Sequence, residues 1–130
     1  PAVGPLEAAV AEALSPYRGE VAVMSFNPNS VVAFGNIRAD IPLGLVTDRF
    51  EPDDWPSLSA ERRKYLAQIS DFGTSGVGFI SHNHTQLTDP PVSALKAQGV
   101  PVLCWTVRSP DEERRARRIA DNITFEGYLP

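Results

Sequence analysis

The sequence predicts an α/β fold built on five parallel strands, and three observations carry that reading. Five short, almost unbroken apolar runs recur along the chain: "EVAVMSF" at 20–26, "IPLGLVT" at 41–47, "GVGFISH" at 76–82, "VPVLCWTV" at 100–107 and "NITF" at 122–125. Runs of that kind are expected of strands buried on both faces. Each consecutive pair is separated by a segment with helical spacing or a helix start signal. Strands alternating with helices form parallel sheets through right-handed crossovers.

The elements follow in order. Leu6, Ala9, Val10, Ala13 and Leu14 recur at helical spacing, and Ser15-Pro16 followed by Gly19 ends that first helix. After the first strand, Asn27 is an N-cap with Pro28 at the first helical position, opening a helix through about Arg38. After the second strand, residues 48–57 hold two prolines, four acids and Trp55, and read as a long loop. A helix at about 58–69 follows, with Leu58, Tyr65, Leu66 and Ile69 on one side. The third strand leads to a helix opened by Pro90-Pro91 and closed at Gly99. Beyond the fourth strand, Ser109 and Glu112 form a capping box around Pro110, and acids then bases follow the order the helix dipole favours. That charge run is a solvated helix face.

Length and composition set limits. The 130 residues, 42% hydrophobic and 22% charged, fit one domain spanning 1–130. The net charge of −4 comes from 16 acids against 12 bases, with no basic field for nucleic acid. The longest apolar stretch is far short of the ~20 residues a membrane helix needs, and the first residues lack the basic start of a signal peptide. Cys104 is the only cysteine, so no internal disulfide forms and a reducing compartment, the cytoplasm, is the expectation. The chain opens on Pro1 rather than methionine, which fits a processed start or the cut end of a longer protein.

Two architectures suit this order, an open doubly wound sheet or part of a (βα)₈ barrel. None of the βα turns carries G-x-G-x-x-G or a Walker sequence, which weakens nucleotide binding. In barrels the functional groups sit at the C-terminal ends of the strands. Those ends are Ser25-Phe26, Thr47-Asp48, His82-Asn83-His84, Trp105-Thr106 and Thr124-Phe125-Glu126.

The pattern "VAVMSFNP", "PLGLVT" and then "QGVPVLCWTVRSPDEERRARRIADNITFEGYLP" resembles the C-terminal portion of the glycerophosphodiester phosphodiesterases, over about residues 6–130. In that family an "SF" closes a mid-barrel strand, a "WT" closes the next-to-last, and a threonine with a following proline marks the last. Thr124 and Pro130 hold those places here, and bacterial members with "TFEG" are the most similar. The resemblance implies a partial (βα)₈ TIM barrel, strands four to eight, from an enzyme of lipid metabolism that hydrolyses a glycerophosphodiester to an alcohol and glycerol 3-phosphate. It also implies a divalent cation, calcium or magnesium, in the complete enzyme. The family's HR and HD pairs, metal-binding acids and "EIK"-like strand have no counterpart in this sequence. The chain is therefore expected to be inactive alone, to bind no metal, and to self-associate through its open edges.

The resemblance assigns Phe26 and Trp105 to the pocket wall on the glycerol side of the substrate; the plainer account of two strand aromatics is packing. Ser25 and Thr106 have hydroxyls that more often satisfy backbone than substrate. His82 and His84 share one face of an extended segment and could begin a zinc site or an acid/base pair, with Asp48, Asp89 or Glu126 converging. The alternative is a polar loop above the sheet. The acids Asp48, Glu51, Asp53 and Asp54 read as solvated loop charge. Cys104 reads as core rather than nucleophile. Two functions besides the phosphodiesterase suit these residues: a small α/β binding module without chemistry, or a metal-dependent hydrolase using His82 and His84.

Overall fold

The computed structural model describes residues 3–130, and among them helices and strands alternate strictly. They are α1 (Pro5–Leu14), β1 (Val23–Ser25), α2 (Pro28–Ile37), β2 (Leu43–Thr47), α3 (Ala60–Ala67), β3 (Phe79–Asn83), α4 (Pro90–Ala97), β4 (Val102–Val107), α5 (Pro110–Ala116) and β5 (Asn122–Phe125). The strands form one parallel sheet in the order β1-β2-β3-β4-β5, curled into a half-barrel, so the partial TIM-barrel expectation holds.

The helix starts form as their residues dictate. Asn27 accepts from the Asn29 backbone N–H, Ser59 from Arg62 and Ser109 from Glu112, each filling an otherwise orphaned donor position. Gly99, with φ of +83°, stops the fourth helix where a side chain would be strained. The first four strands start two or three residues after their apolar runs begin, whereas β5 coincides with its run. The third strand instead extends one residue further, to Asn83.

Register and alternation assign the faces. Leu43, Leu45, Ile80, Val102 and Cys104 pair side by side and pack with Val31, Phe34, Ile69, Val92 and Ala116 in one buried cluster under the helices. The opposite, concave face carries Met24, Gly44, Val46, Phe79, Ser81 and Leu103. Leu45 therefore points toward the helices and not into the barrel interior. The first helix differs as well. Leu6 is 69% exposed, while Ala11 and Glu7 are buried. The helix is turned so that the Glu7 carboxylate accepts from the Gly4 backbone N–H at 2.5 Å and from the Ser30 hydroxyl of α2. Both hydrogen bonds hold that carboxyl below its usual range. In α3, Leu66 is buried but Tyr65 is exposed.

Candidate functional site

The C-terminal ends of the strands gather four aromatic rings. Phe26 follows β1, Phe50 and Trp55 come from the loop after β2, and Trp105 stands in β4. Phe26 is the hub: its ring lies 5.2 Å from Trp105 and 5.1 Å from Trp55, centroid to centroid, and 6.4 Å from Phe50. Phe50 and Trp55 are themselves 5.0 Å apart. The contacts with Phe50 and Trp105 are edge-to-face, the arrangement ring quadrupoles favour. The Trp105 indole N–H donates to the carbonyls of Thr47 and Ser81, which fixes the ring over the ends of β2 and β3. Phe26 and Trp105 are thus brought together; Phe50 and Trp55 join them without having been foreseen. The signal for Phe50 is invisible in sequence, since the residue adopts φ of +57°, a left-handed conformation rare for a bulky side chain.

The loop bearing those rings is clamped. Asp48 is only 5% exposed, so it is not solvated loop charge as its acidic neighbourhood suggests. Its carboxylate accepts from the Trp55 indole N–H, the Arg49 backbone N–H and the Asn83 amide, donors that its position at the end of β2 places around it. Arg49 reaches across to α4 and makes a two-pronged ion pair with Asp89 at 2.6 and 2.7 Å, while its backbone N–H also meets Gln86. The Asp89 carboxyl is held low by that guanidinium. Glu51, Asp53 and Asp54 are exposed, as solvated charge should be.

The two histidines part company. His82 lies within β3, 2% exposed on the helix-facing side, not in a polar loop above the sheet. Its pairing partners Thr47 and Cys104 flank it there. Nδ1 is 2.7 Å from the Thr47 hydroxyl, and Nε2 has no partner among the described residues. Burial pushes its pKa down, against the smaller pull of Asp89 and Asp48. His84 lies past the strand end, where its backbone N–H donates to the Trp105 carbonyl. The acids that sequence offered as further ligands are engaged elsewhere: Asp89 with Arg49, Asp48 with Trp55 and Glu126 with Arg108. Among the described residues no three of His, Cys, Asp and Glu come together where they could hold a metal ion, which leaves the histidine-metal reading without a site. Ser25 accepts from the Asn27 backbone N–H, the role expected of a hydroxyl at a strand end.

The sequence matches the glycerophosphoryl diester phosphodiesterase family over residues 5–121. The chain belongs to this family. No curated protein matches it in sequence. Among solved structures it is similar to a provisionally named glycerophosphoryl diester phosphodiesterase from Silicibacter pomeroyi DSS-3, with a TM-score of 0.69 and 21% identity over 92% of this chain. At that identity the likeness shows the fold. The chain spans 39% of that protein's length. The divalent cation associated with phosphodiesterases of this family has no matching donor set on this chain's own described residues. No helix is long and apolar enough to cross a membrane among the described residues.

Proposed function

We propose that this chain is the C-terminal part of a glycerophosphodiester phosphodiesterase barrel, which hydrolyses a glycerophosphodiester to an alcohol and glycerol 3-phosphate. The chain supplies strands four to eight and one wall of the substrate pocket. The catalytic histidines and the carboxylates for the cation belong to the N-terminal part, and the cation supplies charge neutralisation at the phosphate when bound there. The observation that carries the reading is the Phe26–Trp105 contact at the strand ends of a chain that belongs to this family.

The proposed roles of these residues draw support from their geometry. The Trp105 N–H is spent on two backbone carbonyls, so the ring offers substrate a rigid apolar surface and no hydrogen bond. Phe26, at the end of β1 with β2 and β3 between it and β4, closes that surface from the other side of the sheet. Together they exclude water from one side of the pocket and receive the C–H edges of a glycerol moiety.

The test is release of glycerol 3-phosphate from glycerophosphocholine with calcium or magnesium, using the chain alone and the chain supplied with the N-terminal portion of a family barrel. No turnover alone and turnover on combination is the expected result. A folded combination that binds ligands but never turns over supports a binding module without chemistry. Turnover by the chain alone, lost on His82→Ala, returns the histidines to the chemistry.

A further inference from the structure

Against three rings of the aromatic cluster, Trp105 not among them, lies a cleft of about 410 Å³, within the size range of small-molecule sites. Its floor is Phe26, Phe50, Trp55, Leu58 and Leu66, and Arg62 of α3 stands at its side. Wider hollows of about 610 and 760 Å³ open at the opposite ends of the strands around Asp40, Ile41 and Pro42, but among the described residues they gather a single ring, Tyr17, rather than an aromatic floor.

Charge narrows the occupant. The chain carries 16 acids against 12 bases, yet among the described residues no carboxylate lines this cleft and Arg62 is its one charged group. The remaining polar lining, Asn27, Asn29 and Ser57, offers hydrogen-bond donors. Among the described residues the ion pair of Arg62 is with Asp71 at 4.0 Å, the limit of such a contact, and its guanidinium lies 5.1 Å over the Tyr65 ring. That leaves its fork of donors available to a stronger acceptor. The strained backbone of Phe50, at φ of +57°, sets one ring of the floor, and strain of this kind concentrates at ligand clamps.

We propose that this cleft binds a small anionic amphiphile, an apolar chain or ring ending in one phosphate-like group, with the apolar part on the Phe26–Phe50–Trp55 floor and the anion on Arg62. The inference does not require the hydrolysis reading, although Phe26 serves both surfaces: Trp105 does not line the cleft and no catalytic group is needed.

Octyl phosphate below its micellar concentration is titrated against the chain, following tryptophan fluorescence and backbone amide shifts. Inorganic phosphate, octyl glucoside and octyltrimethylammonium serve as the anion without a tail, the neutral tail and the cationic tail. Octyl phosphate is expected to bind at least ~10-fold tighter than any of the three, with shifts centred on Leu58, Arg62 and Leu66, since a charge-assisted hydrogen bond is worth about that factor. Arg62→Gln should bring octyl phosphate to the level of octyl glucoside. Leu58→Trp, which fills the cleft, should abolish binding of both. Equal affinity for the neutral and anionic tails, an unchanged Arg62→Gln, or undiminished binding by Leu58→Trp overturns the proposal.

Discussion

Gly44 on the concave face is the position where one methyl group should be felt most. A Cβ placed there would lie 2.2, 2.3 and 2.7 Å from three carbons of the Phe79 ring on the adjacent strand. Those separations are far inside carbon–carbon contact, so Gly44→Ala must drive the ring off β2 rather than compress it. Phe79 is partly buried, and a phenylalanine buries roughly 150–250 Å² when fully covered. Returning about half of that, on the order of 75–125 Å², to water would cost about 2–3 kcal/mol at ~25 cal/mol per Å². That agrees with the 1–3 kcal/mol typical of overpacking. Urea denaturation followed by circular dichroism measures the change, and a double-mutant cycle isolates its cause. In a Phe79→Ala background the same Gly44→Ala change has nothing to displace, and should be neutral or slightly stabilising through the reduced freedom of the unfolded chain. A Gly44→Ala cost equally large without the ring would refute the argument and put the strain in the β2 backbone instead.

Other outcomes follow from buried groups and open edges. Because the folded-state pKa of His82 lies below the ordinary value of about 6.5, the unfolded chain takes up its proton first as pH falls. Stability should therefore drop from pH 7 toward 5.5 by up to ~1.4 kcal/mol per unit at that one site, and His82→Gln should flatten this part of the profile; an unchanged profile would exclude His82 as its source. The Cys104 thiol, buried and pushed up to about 11, should react with a disulfide reagent at pH 8 only as fast as the chain unfolds. Rapid labelling of the native chain would contradict that. Self-association is expected at micromolar concentration, since β1 and β5 have no further strand beside them among the described residues and Met24 is 40% exposed on the concave side. A clean monomer in sedimentation velocity would show that those edges are covered by other means.

The order and direction of every element were legible because their signals are local. Apolar runs, Asn27-Pro28, Ser109-Pro110 and Gly99 each act within a turn of their own position. Strand ends and facings were less legible, since a run such as "IPLGLVT" is apolar on both sides and alternation alone does not say which side meets the helices. The facing of Leu45 becomes readable only from its pairing with Ile80. The candidate site was half visible: Phe26 and Trp105 carry a family pattern, whereas Phe50 and Trp55 reach them only through the left-handed turn at Phe50 and the Asp48 and Arg49 clamps, contacts between residues up to 40 positions apart. Asp48 looked like one acid among four, and only the closing of Asn83 and Trp55 around it marks it as different. His82 looked like half of a pair until the pleat put it under the helices.

The strictly sequential strand order has a consequence for how the sheet comes apart. Each strand pairs only with the strand before it and the strand after it, so the assembly behaves as a short ladder with nearest-neighbour coupling and two loose rungs. The β1–β2 and β4–β5 pairings hold three registered positions each, against four at each of the inner pairings, and β5 is exposed along most of its length. Opening should therefore begin at the ends and work toward β3, whose Ile80 and Ser81 are wholly enclosed. Amide exchange read strand by strand would appear as a graded profile peaking in the middle of the chain, and the clamp that ties Asp48 to Asn83 and Arg49 to Asp89 sits on the rungs that open last.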